Sequence, residues 1–141
     1  MSWVFEELTK KIIAAAIEVH KHLGPGLLEI AYQTCLASEL EDLHLNYQRE
    51  VTVPLTYKGK KLDCGFRVDF LIENTVILEL KSVEVLLLVH ESQILSYLRF
   101  MDKRVGLLLN FNEPILKKGI RRFILGFESA SFTQGRVPSR L

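Results

Sequence analysis

The chain has 141 residues, of which 25% are charged and 48% apolar. That suffices for one domain with a substantial core, is too short for two ordinary ones, and excludes wholesale disorder. The formal net charge of +1 gives no global signal for a polyanion, so any such attraction has to be local.

The N-terminal MSWVFEELTK has no basic segment followed by an apolar run, so no secretory signal is expected. No apolar stretch approaches the ~20 residues of a membrane span, which leads to the expectation of a soluble, cytoplasmic protein with no membrane partner. Residues 4–23 place Val4, Leu8, Ile12, Ile13, Ala16, Ile17 and Val19 at helical spacing, and Gly24-Pro25-Gly26 ends that helix. A second helix is predicted over 27–43, with Leu28, Ala31, Tyr32, Cys35, Leu36 and Leu40 on its apolar side. His20, His22 and His44 show no ligand spacing and are expected at the surface or at helix ends. Cys35 and Cys64 have no metal or redox motif around them and are expected as small buried hydrophobes.

Three strands should follow. The first covers 48–57, where Pro54 favours an edge position. Lys58-Gly59-Lys60 turns it into a second strand over 61–72. The third closes a hairpin at 81. Residues 87–101 read as a third helix, and VGLLLN (105–110) as a buried strand lying parallel to its predecessor across that helix. Residues 115–127 are assigned to a last strand. From Glu128 onward the chain is polar and aperiodic, giving a single domain over 1–127 and a flexible tail over 128–141.

The chemistry concentrates in Arg67–Val83. Phe66, Val68, Phe70 and Ile72 alternate with Arg67, Asp69 and Leu71; Val76, Leu78 and Leu80 alternate with Ile77, Glu79 and Lys81. If Glu73-Asn74-Thr75 is a three-residue turn, Ile72 pairs with Val76 and Asp69 lies opposite Glu79, with Lys81 two residues on. The even face is then wholly apolar, while the odd face is apolar near the turn and charged at the far end. Facing carboxylates repel. A hard divalent cation would offset the repulsion, and Mg²⁺ is commonly held by one or two carboxylates plus substrate phosphates. Removing one charge, as in Asp69→Asn, should relieve the repulsion when no metal is bound. The plainer alternative is a solvated Glu79–Lys81 pair with Asp69 near a strand end.

Two helices add polar groups. Gly26, Glu29 and Tyr32 are three apart and share an arc of the second helix, although Glu29 also suits the first turn on macrodipole grounds alone. His90, Gln93 and Tyr97 line one stripe of the third helix, facing either the same pocket or solvent. Residues 99–122 hold seven cations against Asp102 and Glu113, and Lys58, Lys60 and Lys61 make a second basic patch. Such patches suit a polyanion and are also common on neutral proteins.

The order G-x-x-E-x-x-Y (Gly26, Glu29, Tyr32), R-x-D (Arg67, Asp69), E-L-K (Glu79, Leu80, Lys81), H-E-x-Q (His90, Glu91, Gln93) and Tyr97 resembles the GxxExxY protein family of the PD-(D/E)xK nuclease superfamily, over about 5–123. The resemblance implies an α/β (α+β mixed) fold, a restriction-endonuclease-like core whose mixed central sheet is flanked by helices. It also implies a metal-dependent nuclease hydrolysing phosphodiester bonds in nucleic acid, DNA first. Asp69, Glu79 and Glu29 would be the metal residues for Mg²⁺ or Mn²⁺. Lys81 would be the catalytic lysine and Gln93 the additional polar catalytic residue, with Tyr32, Arg67, His90 and Tyr97 as further pocket candidates. Leu86-Leu87-Leu88 departs from the family pattern at the start of the third helix, which leaves open where that helix starts and whether an apolar patch is exposed there. The rival is a non-catalytic nucleic-acid-binding or assembly module on the same fold; a homodimer is left open.

Overall fold

In a computed structural model, residues 2–126 are described. The first helix, α1 (Ser2–Leu23), is followed after the Gly24–Leu28 loop by α2 (Glu29–Asp42). The strands are β1 (Tyr47–Thr52), β2 (Leu55–Tyr57), β3 (Lys60–Leu62), β4 (Arg67–Ile72) and β5 (Val76–Lys81). Then come α3 (Leu88–Met101), β6 (Val105–Asn110), a 3-10 turn (Leu116–Gly119) and β7 (Ile120–Ile124). Among the described residues no helix is long and apolar enough to cross a membrane. The expected tail at 128–141 lies outside the described residues.

Five strands form one mixed sheet in the order β1-β4-β5-β6-β7. Only β5 and β6 run parallel, joined through α3 as a crossover; the other pairs are antiparallel. The sheet is flanked by helices on both sides. Ile12, Ala16, Val19, Leu36 and Leu40 of α1 and α2 pack against Phe70, Ile72, Leu78, Leu80, Leu107 and Leu109. On the other side Ile94, Leu95 and Leu98 of α3 pack against Leu71, Ile77, Leu108 and Phe123. Gly106 permits this close approach, since a β-carbon there would stand 3.1 Å from the Ile94 side chain.

The expected three strands are five. Pro54 has no N–H for a ladder and stands between β1 and β2, so the predicted strand over 48–57 divides. The stretch over 61–72 divides too, at a turn where Asp63 accepts the Gly65 N–H and Gly65 adopts φ +83°. The freed segment folds as a separate β2–β3 hairpin around Lys58-Gly59, both with positive φ. β1 is an edge strand, as Pro54 suggested. The last predicted strand begins with the 3-10 turn before β7.

One side-chain expectation fails. Cys64 is exposed in the surface turn before β4, while Cys35 is half-buried against the core. His20 lies at a helix end as expected, in the last turn of α1, and its ring points inward, with Nε2 2.8 Å from the Glu113 carbonyl.

Candidate active site

The β4–β5 register is the one that a three-residue turn dictates: Ile72 faces Val76, Leu71 faces Ile77 and Phe70 faces Leu78. The next step outward brings Asp69 to Glu79. Their side chains reach across the strands. Leu80 N–H donates to Asp69 Oδ2 at 2.7 Å, Asp69 N–H approaches Glu79 Oε1 at 3.4 Å, and the two carboxyl groups hydrogen-bond each other.

Glu79 is only 8% exposed, and its pKa is pushed up to about 9. Burial is the main cause, followed by the hydrogen bond to Asp69 and the negative charge of Asp69, with Lys81 pulling the other way. At neutral pH without a cation, Glu79 therefore keeps its proton and donates it toward Asp69. The Tyr97 hydroxyl is also raised, first by burial and then by the charges of Glu79 and Asp69, so it lies within the field of the same pair. Asp69, Glu79, Lys81 and Tyr97 thus share one locus.

Gln93 is exposed one turn before Tyr97 and, with Phe66 and Val89, lines an open cavity of about 320 Å³ beside it. Glu29 begins α2 and accepts the Ser82 N–H at 3.3 Å, holding the chain just past Lys81. Ser82 Oγ donates to the Leu27 carbonyl, and Phe111 N–H donates to the Lys81 carbonyl.

Three pocket candidates are engaged elsewhere. Tyr32 is fully buried and stacked on Phe111; its hydroxyl donates to the Gly24 carbonyl and accepts the Leu27 N–H, tying the loop before α2. The Arg67 guanidinium turns to the Phe66 carbonyl and to Asp63. His90 Nδ1 accepts the Leu87 N–H and caps α3. This cap lets the helix begin in an apolar run, at Leu88, and leaves apolar side chains open there, with Leu88 78% exposed and Val85, Leu87 and Val89 also exposed.

Gln33 was not foreseen. It lies one turn after Glu29 on α2, is 4% exposed, and donates through Nε2 to Asp69 Oδ1 (2.9 Å) and Glu50 Oε2 (2.7 Å). Its Oε1 accepts from Arg49 Nε and Nη2. Every strong capacity of the amide is used, so Asp69 is fixed on both oxygens. Asn110, also buried, bonds both the N–H and the carbonyl of Val83 and pins the loop after Lys81. A glutamine on a helix is compositionally anonymous; only its position four residues after Glu29 hinted at a shared face.

The donor set suits a hard divalent cation, since two hydrogen-bonded carboxyls cannot both ionise cheaply without a positive charge between them. Among the described residues, no group of three or more His, Cys, Asp or Glu side chains is placed to hold a metal ion. Glu29, the expected third acid, is instead engaged with Ser82. Two carboxylates match the way Mg²⁺ is commonly bound, with water and substrate phosphate completing the shell.

A family model described as the PD-(D/E)XK nuclease superfamily matches residues 6–123. The chain belongs to that superfamily. The PD-(D/E)XK match runs from within α1 to most of β7, and the mixed sheet flanked by helices is consistent with the restriction-endonuclease-like fold. No curated protein and no solved structure matches the chain.

Proposed function

We propose that this PD-(D/E)XK protein is a divalent-metal-dependent nuclease that hydrolyses phosphodiester bonds, with DNA as its first substrate. The observation that carries the proposal is the Asp69–Glu79 pair, hydrogen-bonded, largely buried and flanked by Lys81 at the open end of β5. Asp69 and Glu79 would hold Mg²⁺ or Mn²⁺, and Glu29 would serve as the helix-borne acid that fixes the chain beyond Lys81. Such an ion, when bound, supplies Lewis acidity and lowers the pKa of a coordinated water. Lys81 then has two tasks that its mobile ammonium suits: orienting the attacking water and balancing charge on a phosphoryl oxygen. Gln33 holds the Asp69 carboxylate in one orientation, leaving less to reorganise when substrate arrives. Gln93 and Tyr97 offer polar contacts on the α3 side of the same locus.

The test is cleavage of a panel of single-stranded, duplex and branched DNA and RNA with Mg²⁺ and with Mn²⁺. The expected result is metal-dependent scission that is lost in Lys81→Ala. Wild-type protein that binds panel members and never cuts one would sink the nuclease reading and leave a binding module.

A further inference from the structure

Beside the carboxyl pair lies a feature that phosphodiester chemistry alone does not use. Phe66, 40% exposed, forms one wall of the cavity of about 320 Å³, opposite Val89, Gln93, Tyr97 and Phe100 of α3. Its ring centroid stands 6.0 Å from that of Tyr97, the two planes tilted by 41°. The cavity sits at the small end of ligand pockets, so it admits one flat group at a time. Gln93, Ser92 and Ser96 give it polar edges.

The same wall roots the β2–β3 hairpin, since Val53 N–H donates to the Phe66 carbonyl at 2.9 Å. That hairpin reads LTYKGKKL, with Lys58, Lys60 and Lys61 all exposed and no acid among its eight residues. Lys61 is five residues from Phe66, at most about 17 Å along an extended strand. Aromatic walls with polar edges, next to a run of exposed cations, match the two parts of a single-strand site: bases stack on the rings and phosphates follow the charge. A duplex fits poorly, because its bases already stack on one another and cannot offer a face to Phe66.

We infer that the Phe66–Tyr97 cavity receives one unstacked base of single-stranded DNA while the β2–β3 hairpin grips the adjoining phosphates. The inference deepens the nuclease proposal and rests on it for the choice of polymer. It makes the substrate a single strand, or an unpaired flap, threaded from the hairpin past Phe66 toward Asp69 and Glu79.

The experiment is fluorescence anisotropy of labelled single-stranded DNA, the matching duplex and single-stranded RNA, all in chelator so that no strand is cut. Wild type should prefer the single strand. Phe66→Ala should weaken single-strand binding by about 5- to 100-fold, the usual effect of losing one stacking platform, with little change for the duplex. Replacing Lys58, Lys60 and Lys61 with Gln should flatten the slope of log K against log[salt] by about two, or ~0.7 for each lost phosphate contact. Duplex preferred by wild type, Phe66→Ala binding as tightly as wild type, or an unchanged salt slope in the triple variant would each overturn the inference. Tighter binding of RNA than DNA would overturn its choice of polymer. Because binding is read without metal, the expected losses in a protein that never cuts would uphold this site while removing the nuclease proposal.

Discussion

The two faces of the β4–β5 hairpin carry the same strands to opposite ends. Phe70, Ile72, Val76, Leu78 and Leu80 lie beneath α1 and α2, all fully or almost fully buried. The other face starts in the same way, with Leu71 and Ile77 under α3, and then runs out into Asp69, Glu79 and Lys81. Two helices can cover a whole sheet face; the single crossover helix covers only part of one. The protein's chemistry sits where that cover ends, against a floor rigid enough to hold two carboxyls that would otherwise part.

The contrast can be broken from either side, and the largest effect should come from the open face. Lys81→Ala is expected to lower cleavage by roughly 100- to 10,000-fold, the range typical of a positioned proton-transfer or charge-balancing group, while stability changes by no more than about 0.5 kcal/mol. Single-turnover assays beside thermal melts check both halves, and a variant that cuts normally would remove Lys81 from the reaction. On the covered face the pattern should invert. Leu78→Ala should cost about 2–5 kcal/mol in denaturant unfolding; a loss well under 1 kcal/mol would mean that this face is not the close-packed one.

Titration sharpens the comparison further. The folded pKa of Glu79, about 9, lies above its ordinary value of 4.5, so between those values the folded state holds a proton that the unfolded state has released. Its contribution to stability is therefore full below about 4.5 and is lost as pH rises toward and through 9. In chelator, wild type should lose up to about 1.4 kcal/mol per pH unit relative to Glu79→Gln between pH 6 and 8. Gln mimics the protonated acid and should remove that slope; equal slopes in the two proteins would mean that Glu79 is ionised throughout. The smallest effect is expected at Gln33. Gln33→Ala should cost about 1 kcal/mol and weaken Mn²⁺ binding by ~10-fold, seen as a smaller metal-induced rise in Tm. A full metal response would show that Asp69 needs no help from α2.

The hairpin was legible because period-2 alternation and a three-residue turn leave a single register. The crossover to β6 was legible for a similar reason, since a buried apolar strand after a helix has few places to go. What escaped was mostly rotation and partnership. Tyr32 shares an arc with Glu29 on a helical wheel, yet three residues of rotation are enough to carry its ring onto Phe111. Asp69 looked like a charge that could be deleted with profit. With Leu80 N–H on one oxygen and Gln33 on the other, an Asn amide would set a donor against a donor, so Glu79 is the acid better neutralised. Neither partner could be read from the sequence, because one is backbone and the other a generic polar residue. The split strands escape the sequence because Pro54, an edge marker, also ends a ladder, and because the Asp63–Gly65 turn rests on a side-chain-to-backbone bond.

The turn at 72–76 carries a consequence for how this sequence can vary in length. Glu73 and Asn74 both adopt positive φ, a conformation that costs non-glycine residues energy. The Asn46 N–H donates to the Glu73 carboxylate and the Asn46 carbonyl accepts the Glu73 N–H, while Lys103 Nζ donates to Asn74 Oδ1. One extra residue here would slide Asp69 away from Glu79 and turn a strand's buried side outward. The tip at Lys58-Gly59, outside the main sheet, could lengthen without disturbing either. Insertions and deletions among natural relatives should therefore gather at that tip and be missing from 73–75, a pattern that any alignment of homologues can contradict.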